Sequence, residues 1–233
     1  GDTEKRSIWA KVLQRRGEMG YPYIFFNDNA NNGAADVYKD KKHPIYASNL
    51  CTEIMLPSND EWSFVCVLSS INVLHYDKWK DTDAVETMIY FLDAVISEFL
   101  EKLEAYRDSD NREDRQTFLF MERAYNFAKE NRALGMGVLG WHSLLQSKMH
   151  AINSKEAFDL NSEIFRVVRE KSIAASEQLA EKFGEPKVLK GYGRRNATLN
   201  AIAPATSTAL IIGQVSQGIE PIWSNIYVKE IAK

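Results

Sequence analysis

The 233-residue chain is 45% hydrophobic and 26% charged, an ordinary globular composition with enough length to bury a core, which excludes a fibre or a disordered tail. Its 29 basic and 32 acidic residues leave a net charge of −3, so no general electrostatic pull toward nucleic acid or an anionic membrane is expected. Two cysteines are too few for a disulfide framework, no apolar run approaches the ~20 residues of a membrane span, and the first residues lack a basic-then-apolar signal. A single cytoplasmic domain over 1–233 is the expectation.

Along the chain, Ile8, Trp9, Val12 and Leu13 predict an amphipathic helix over Ser7–Met19 that ends at Gly20. Tyr21–Phe26 is aromatic and β-branched and predicts a strand, followed by a turn-rich loop at Asn27–Gly33. A second strand is expected at Ser63–Leu68. Val85, Met88, Ile89, Leu92, Val95, Ile96, Phe99, Leu100 and Leu103 recur at helical spacing, so Thr82–Tyr106 is predicted as a helix. Further helices are expected at Gln116–Ala133, Val138–Lys148 and Lys155–Phe183, which makes about 82–183 a helical region. A Gly-containing connector at Lys187–Arg194, a short strand at Thr198–Ala203 and a helix starting within Thr206–Gln214 complete the pattern. Strands separated by long helices give an α/β fold class.

Three polar residues stand out in the first third. Asn49, Cys51 and Glu53 occupy positions i, i+2 and i+4, and in an extended run their side chains would share one face at spacings of about 7 Å. An amide, a thiol and a carboxylate together can bind a polar substrate and take a hydrogen or a proton from it. The alternatives are an Asx-turn asparagine, a buried inert thiol and an exposed strand carboxylate. Near the other end, Pro204-Ala205-Thr206-Ser207-Thr208 places hydroxyls and backbone N–H groups at a helix start, where the positive end of the dipole suits a phosphate. An ordinary Ser/Thr cap is the simpler alternative.

Gly135-Met136-Gly137-Val138-Leu139-Gly140 fits the G-x-G-x-x-G pattern but follows a charged helical stretch, so it is not read as a dinucleotide site; its glycines are expected to permit close helix packing. His43, His75, His142 and His150 have no ligand spacing with one another or with the cysteines, and no protein-bound metal is expected.

Asn49-Leu50-Cys51-Thr52-Glu53-Ile54 resembles the radical-cysteine motif of the ribonucleotide reductase large subunit. Further segments agree in order: Phe64–Asn72, Arg132–Gly140, Arg195–Leu199, Ala203–Thr208 and Gly218-Ile219-Glu220-Pro221. The resemblance implies part of a ten-stranded α/β barrel with long helices, a finger loop at about 47–57 and a substrate-phosphate loop at about 203–214. It implies reduction of ribonucleoside diphosphates by thiyl-radical chemistry. Cys51 would be the hydrogen-abstracting thiol, Glu53 the base for the ribose 3′-hydroxyl and Asn49 a holder of sugar hydroxyls. Cys66 would be one half of the reducing dithiol, with its partner on a strand outside this chain, and Pro204, Ala205, Thr206, Ser207 and Thr208 would hold the phosphates.

Several partners follow from the same resemblance. A separate small subunit would supply the radical, with adenosylcobalamin as the alternative source, and thioredoxin or glutaredoxin would be the external reductant. The remaining parts of the large subunit would complete the barrel, and the complete subunit would form a homodimer. A different reading makes the chain a catalytically silent assembly unit of a split subunit.

Overall fold

The computed structural model describes residues 1–65, 67–224, 226 and 228. The chain divides into two compact units, Gly1–Pro57 and Ser58–Lys233. The first has few apolar residues to bury, and its inner positions are taken by Val37, Tyr38, Ile45, Ile54 and Leu56.

In the first unit, helix α1 spans Thr3–Met19. The Asp2 side chain caps it by accepting from the Glu4 and Lys5 N–H groups, and Gly20 stops it at φ +75°, a left-handed conformation that costs glycine little. The strand expected at Tyr21–Phe26 does not form. Its aromatic residues favour a pleated strand only where a partner supplies the ladder, and Pro22 removes one donor. The loop expected at Asn27–Gly33 is instead helical, as α2 at Asn27–Asn32, and the short α3 follows at Asp36–Asp40. The Asn31 side chain explains this. Its amide donates to the Asn27 and Ile45 carbonyls and its oxygen accepts from the Ile45 N–H at 2.8 Å, which ties α2 to the chain leading into the cysteine segment.

The second unit carries the sheet. Strand β1, Val67–Asn72, pairs in parallel with β2, Leu134–Leu139, in a register that sets Val67 opposite Leu134 and Asn72 opposite Leu139. A turn of 3-10 helix at Val73–His75 and the short α4, Tyr76–Trp79, leave β1. Helices α5, Ala84–Arg107, and α6, Arg112–Asn131, then cross over to β2, and α7, Trp141–Ser147, and α8, Lys155–Phe183, follow it. A 3-10 turn at Lys187–Leu189 and α9, Thr206–Ile211, complete the described elements. Val85, Ile89, Leu92 and Ile96 of α5 and Ile164, Val168 and Ala175 of α8 pack with Leu134, Met136 and Val138 of β2 in one core. The 3.6-residue spacing of these helical positions is what makes α5 and α8 legible in sequence.

Helix was expected to begin at Val138, but Val138 and Leu139 are the last two residues of β2 and the helix starts only at Trp141. The β2 segment is a strand buried at every position, and such strands read as continuous apolar runs that periodicity cannot separate from helix. The strand expected at Ser63–Leu68 is displaced toward the C-terminus, because the pairing with β2 begins at Val67 while the Ser63 N–H donates to the Arg123 carbonyl. Thr198–Ala203 runs along the other edge of β2 with a single parallel bridge, Met136 to Asn200, supported by the Leu134 N–H to the Thr198 carbonyl and the Ala201 N–H to the Met136 carbonyl.

Gly135 and Gly137 therefore serve strand packing, not helix packing. A Cβ on Gly137 would stand 2.3 Å from the Ala201 carbonyl oxygen, and one on Gly135 would stand 2.4 Å from Cδ2 of Leu68. Backbone cannot yield as a leucine terminus can. Gly137→Ala is expected to destabilise the second unit by about 1–3 kcal/mol and Gly135→Ala by less, as measured by urea unfolding. No helix among the described residues is long and apolar enough to cross a membrane.

Candidate active site

The cysteine segment is a closed turn and not an extended run. The Asn49 N–H donates to the Ile54 carbonyl at 3.1 Å, and the Ile54 N–H returns to Oδ1 of Asn49 at 3.1 Å. Between them the Thr52 N–H donates to the Asn49 carbonyl, with Thr52 at φ +64°. Asparagine favours this geometry because its side chain stands in for a backbone acceptor. The consequence is a rearranged trio. Nδ2 of Asn49 donates to Oε1 of Glu53 at 2.6 Å, while Oε2 of Glu53 is buried and has no hydrogen-bond partner among the described residues. Cys51 sits at the turn as a free, exposed thiol beside Leu50, which is 90% exposed.

Two tyrosines that the sequence did not single out lie in the same unit. Tyr21 and Tyr23 have ring centroids 5.1 Å apart. The hydrogen bond and charge of Tyr21 raise the Tyr23 phenol above its ordinary range, with smaller contributions from burial and from nearby Cys51. The strand reading of Tyr21–Phe26 hid this pair, since it treats aromatic residues as packing. Cys66 lies outside the described residues.

In the second unit, the predicted phosphate loop stands at the C-terminal ends of β1 and β2, the end of an α/β sheet where ligands bind. Ala205 and Ala209 pack with Leu139 and Val215, seating α9 against the end of β2. The Gly140 N–H donates to the Ser216 carbonyl at 2.8 Å, and Ser143 and Ser216 each accept the other's N–H through the hydroxyl. No side chain caps α9. Of its three hydroxyl residues, Thr206 donates to Oε1 of Gln217 at 2.6 Å, while Ser207 and Thr208 are exposed. Pro204 is exposed and Ala205 buried, so the loop offers two free hydroxyls and the unpaired N–H groups of a first helical turn.

Behind this sheet lies a buried charge cluster whose acid the sequence did not mark. Asp93, on the apolar face of α5 and 3% exposed, accepts from Nε of Arg132 at 2.8 Å, Nε of Arg195 at 3.0 Å and Nδ2 of Asn196 at 2.9 Å. Arg132 also donates to the Asp93 carbonyl and to the Ser97 hydroxyl, both at 2.7 Å. Ser176 of α8 donates to Oδ1 of Asn196 and accepts the Asn196 N–H. Burial pushes the Asp93 carboxyl up, but Arg132, Asn196 and Arg195 more than reverse this and hold it below the usual carboxylate range. One acid thus joins α5, the α6–β2 junction, α8 and the segment entering the third edge. The available signal was a single aspartate at a helical position otherwise filled by apolar residues.

Comparison with known proteins assigns this arrangement. A family model described as ribonucleotide reductase, barrel domain, matches residues 2–191 and 186–233. The chain belongs to the ribonucleotide reductase family.

It is 38% identical over 223 residues to a putative ribonucleoside-diphosphate reductase large subunit of Frog virus 3 (isolate Goorha), covering 96% of this chain and 37% of that protein. A ribonucleoside-diphosphate reductase large subunit of Invertebrate iridescent virus 3 is 32% identical over 224 residues, covering 96% and 33%. The solved Actinobacillus ureae class Id ribonucleotide reductase alpha subunit superposes with a TM-score of 0.88 at 54% identity, over 98% of this chain and 42% of that one. This reductase segment spans about a third of the length of these two curated relatives. Its parallel strands and flanking helices are part of the reductase α/β barrel.

Proposed function

We propose that this reductase segment carries the catalytic centre of a large subunit that converts ribonucleoside diphosphates to deoxyribonucleoside diphosphates by thiyl-radical chemistry. The observation that carries the reading is the turn at Asn49–Ile54, which presents an exposed thiol two residues from a carboxylate oriented by an amide. As a thiyl radical, Cys51 takes the hydrogen from ribose C3′ and later returns it. Oε1 of Glu53 is occupied by Asn49, which leaves buried Oε2 as the acceptor for the 3′-hydroxyl proton. Loss of that proton helps expel the 2′-hydroxyl, which takes a proton from a thiol of the reducing dithiol and leaves as water. Two electrons then come from a dithiol that includes Cys66 and closes to a disulfide, which thioredoxin or glutaredoxin reopens. Asn49 holds sugar hydroxyls, and the segment Pro204–Thr208 holds the diphosphate through Ser207, Thr208 and the first-turn N–H groups of α9.

The radical comes from a separate small subunit, a reading supported by relatives that are named large or alpha subunits of diphosphate reductases. Segments that those relatives carry beyond the matched region complete the barrel, and the complete subunit works as a homodimer in the cytoplasm.

Glu53 provides the test. In the chain combined with the complementary segments of the large subunit and a radical-generating small subunit, Glu53→Gln is expected to lower kcat by about 10²–10⁴-fold, the range of a lost general base. KM should change much less. Unchanged kcat in a folded, assembled variant would remove Glu53 from the chemistry.

A further inference from the structure

The buried charge cluster forms the floor of a cavity of about 870 Å³ that plays no part in the chemistry above. Asp93 and Arg195 line its base, and Tyr90, Leu179 and Phe183 form apolar and aromatic walls between α5 and α8. The volume falls in the range of small-molecule sites, about 300–1,000 Å³.

Three observations give the cavity a charge preference. Asp93 at the floor is already neutralised from beneath by Arg132, which lies outside the lining, so the guanidinium of Arg195, which does line the cavity, is not fully balanced by it. Arg195 donates from Nε to Asp93 and from Nη1 to the Phe183 and Gly184 carbonyls, and Nη2 has no acceptor among the described residues. Third, Lys182 and Arg195 each lie over the Phe183 ring, at 5.1 and 5.3 Å from its centroid, and both line the cavity, so it carries two cations around one aromatic ring. An anion bridging those two cations would gain charge-assisted hydrogen bonds in a partly desolvated place. On the rim Glu98 is already paired with Lys102 at 2.6 Å, and Glu101 remains to meet a donor at the far end of a ligand.

We propose that this cavity is a binding site for a small organic anion, a carboxylate or phosphate group on an apolar or aromatic body, with the acidic group between Arg195 and Lys182 and the body against Phe183, Tyr90 and Leu179. The site lies wholly within the second unit.

Calorimetric titration of the full chain with 3-phenylpropionate, phenyl phosphate and neutral 3-phenylpropanol tests this. At least one anion should bind saturably, and the alcohol at least about tenfold more weakly, the factor expected when about 1.4 kcal/mol of charge-assisted bonding is lost. Binding of the propionate alone assigns the site to organic acids, and binding of the phosphate alone to phosphorylated ligands. Lys182→Gln, at an exposed position, should weaken the anion by about tenfold, and Ala94→Trp should block the cavity and abolish binding. If Ala94→Trp fails to fold, Lys182→Gln decides. A folded chain that binds neither anion, binds the alcohol as well as the anions, or is unaffected by Lys182→Gln would overturn the proposal.

Discussion

Cys51→Ser is expected to abolish nucleotide reduction while leaving the fold unchanged. In the chain assembled with its complementary segments and a radical-generating small subunit, turnover should fall by more than about 10⁴-fold, equivalent to at least ~5.5 kcal/mol of barrier. The S–H bond is weak enough for a thiyl radical to exchange hydrogen with a ribose C–H bond in a nearly balanced step. A serine O–H bond is far stronger, so a radical delivered to this position could not be passed to it. Cys51 is exposed and the turn around it is held by Asn49, Thr52 and Ile54, so serine should cost little stability. Deoxynucleotide formation and urea unfolding, measured on the same preparation, separate the two effects. Residual turnover near the wild-type rate would exclude Cys51 as the hydrogen-abstracting group.

The largest structural effect is expected at Asp93. Asp93→Ala removes the acid that faces Arg132 and Arg195, and Arg132 remains buried without its counter-charge. Breaking one side of a buried ion pair in this way costs about 3–5 kcal/mol. For a unit of this size that corresponds to a drop in Tm of roughly 6–20 °C, a large fraction of ordinary domain stability. Replacing the acid by Asn, which keeps one acceptor oxygen, should recover part of the loss. Differential scanning calorimetry of both variants against wild type gives the numbers, and a shift under about 2 °C for Asp93→Ala would show that the cluster contributes little net stability.

The same residue sets an acid limit. Its folded carboxyl titrates below the ordinary aspartate value of about 3.9, so its contribution is fully present above that value. That contribution is lost as pH falls through the lower folded value. Wild type should therefore lose stability on acidification below about pH 4, and Asp93→Asn should show a flatter profile over that range.

What the sequence determined by itself was the family and the long helices. Val85 to Leu103 and the span Lys155–Phe183 declared their helices because one face of each must be apolar at 3.6-residue spacing wherever it packs. The family was legible because short runs such as Asn49–Ile54 and Ala203–Thr208 are chemically specific and stand in a fixed order. Tertiary structure alone decided the rest. Leu134–Leu139 is a strand because its neighbours cover both faces, a fact its apolar run does not contain. Tyr21–Phe26 is not a strand because no partner strand meets it among the described residues, and Asn27–Asn32 is a helix because Asn31 reaches Ile45, fourteen residues away. Asn49 and Glu53 touch because Thr52 turns the chain back, where the side-chain alternation of an extended run would have held them apart. Asp93 shows the limit most clearly. A lone acid on an apolar helical face gives no sign of its partners, which lie 39 and 102 residues further along the chain and meet it only when the strands pair.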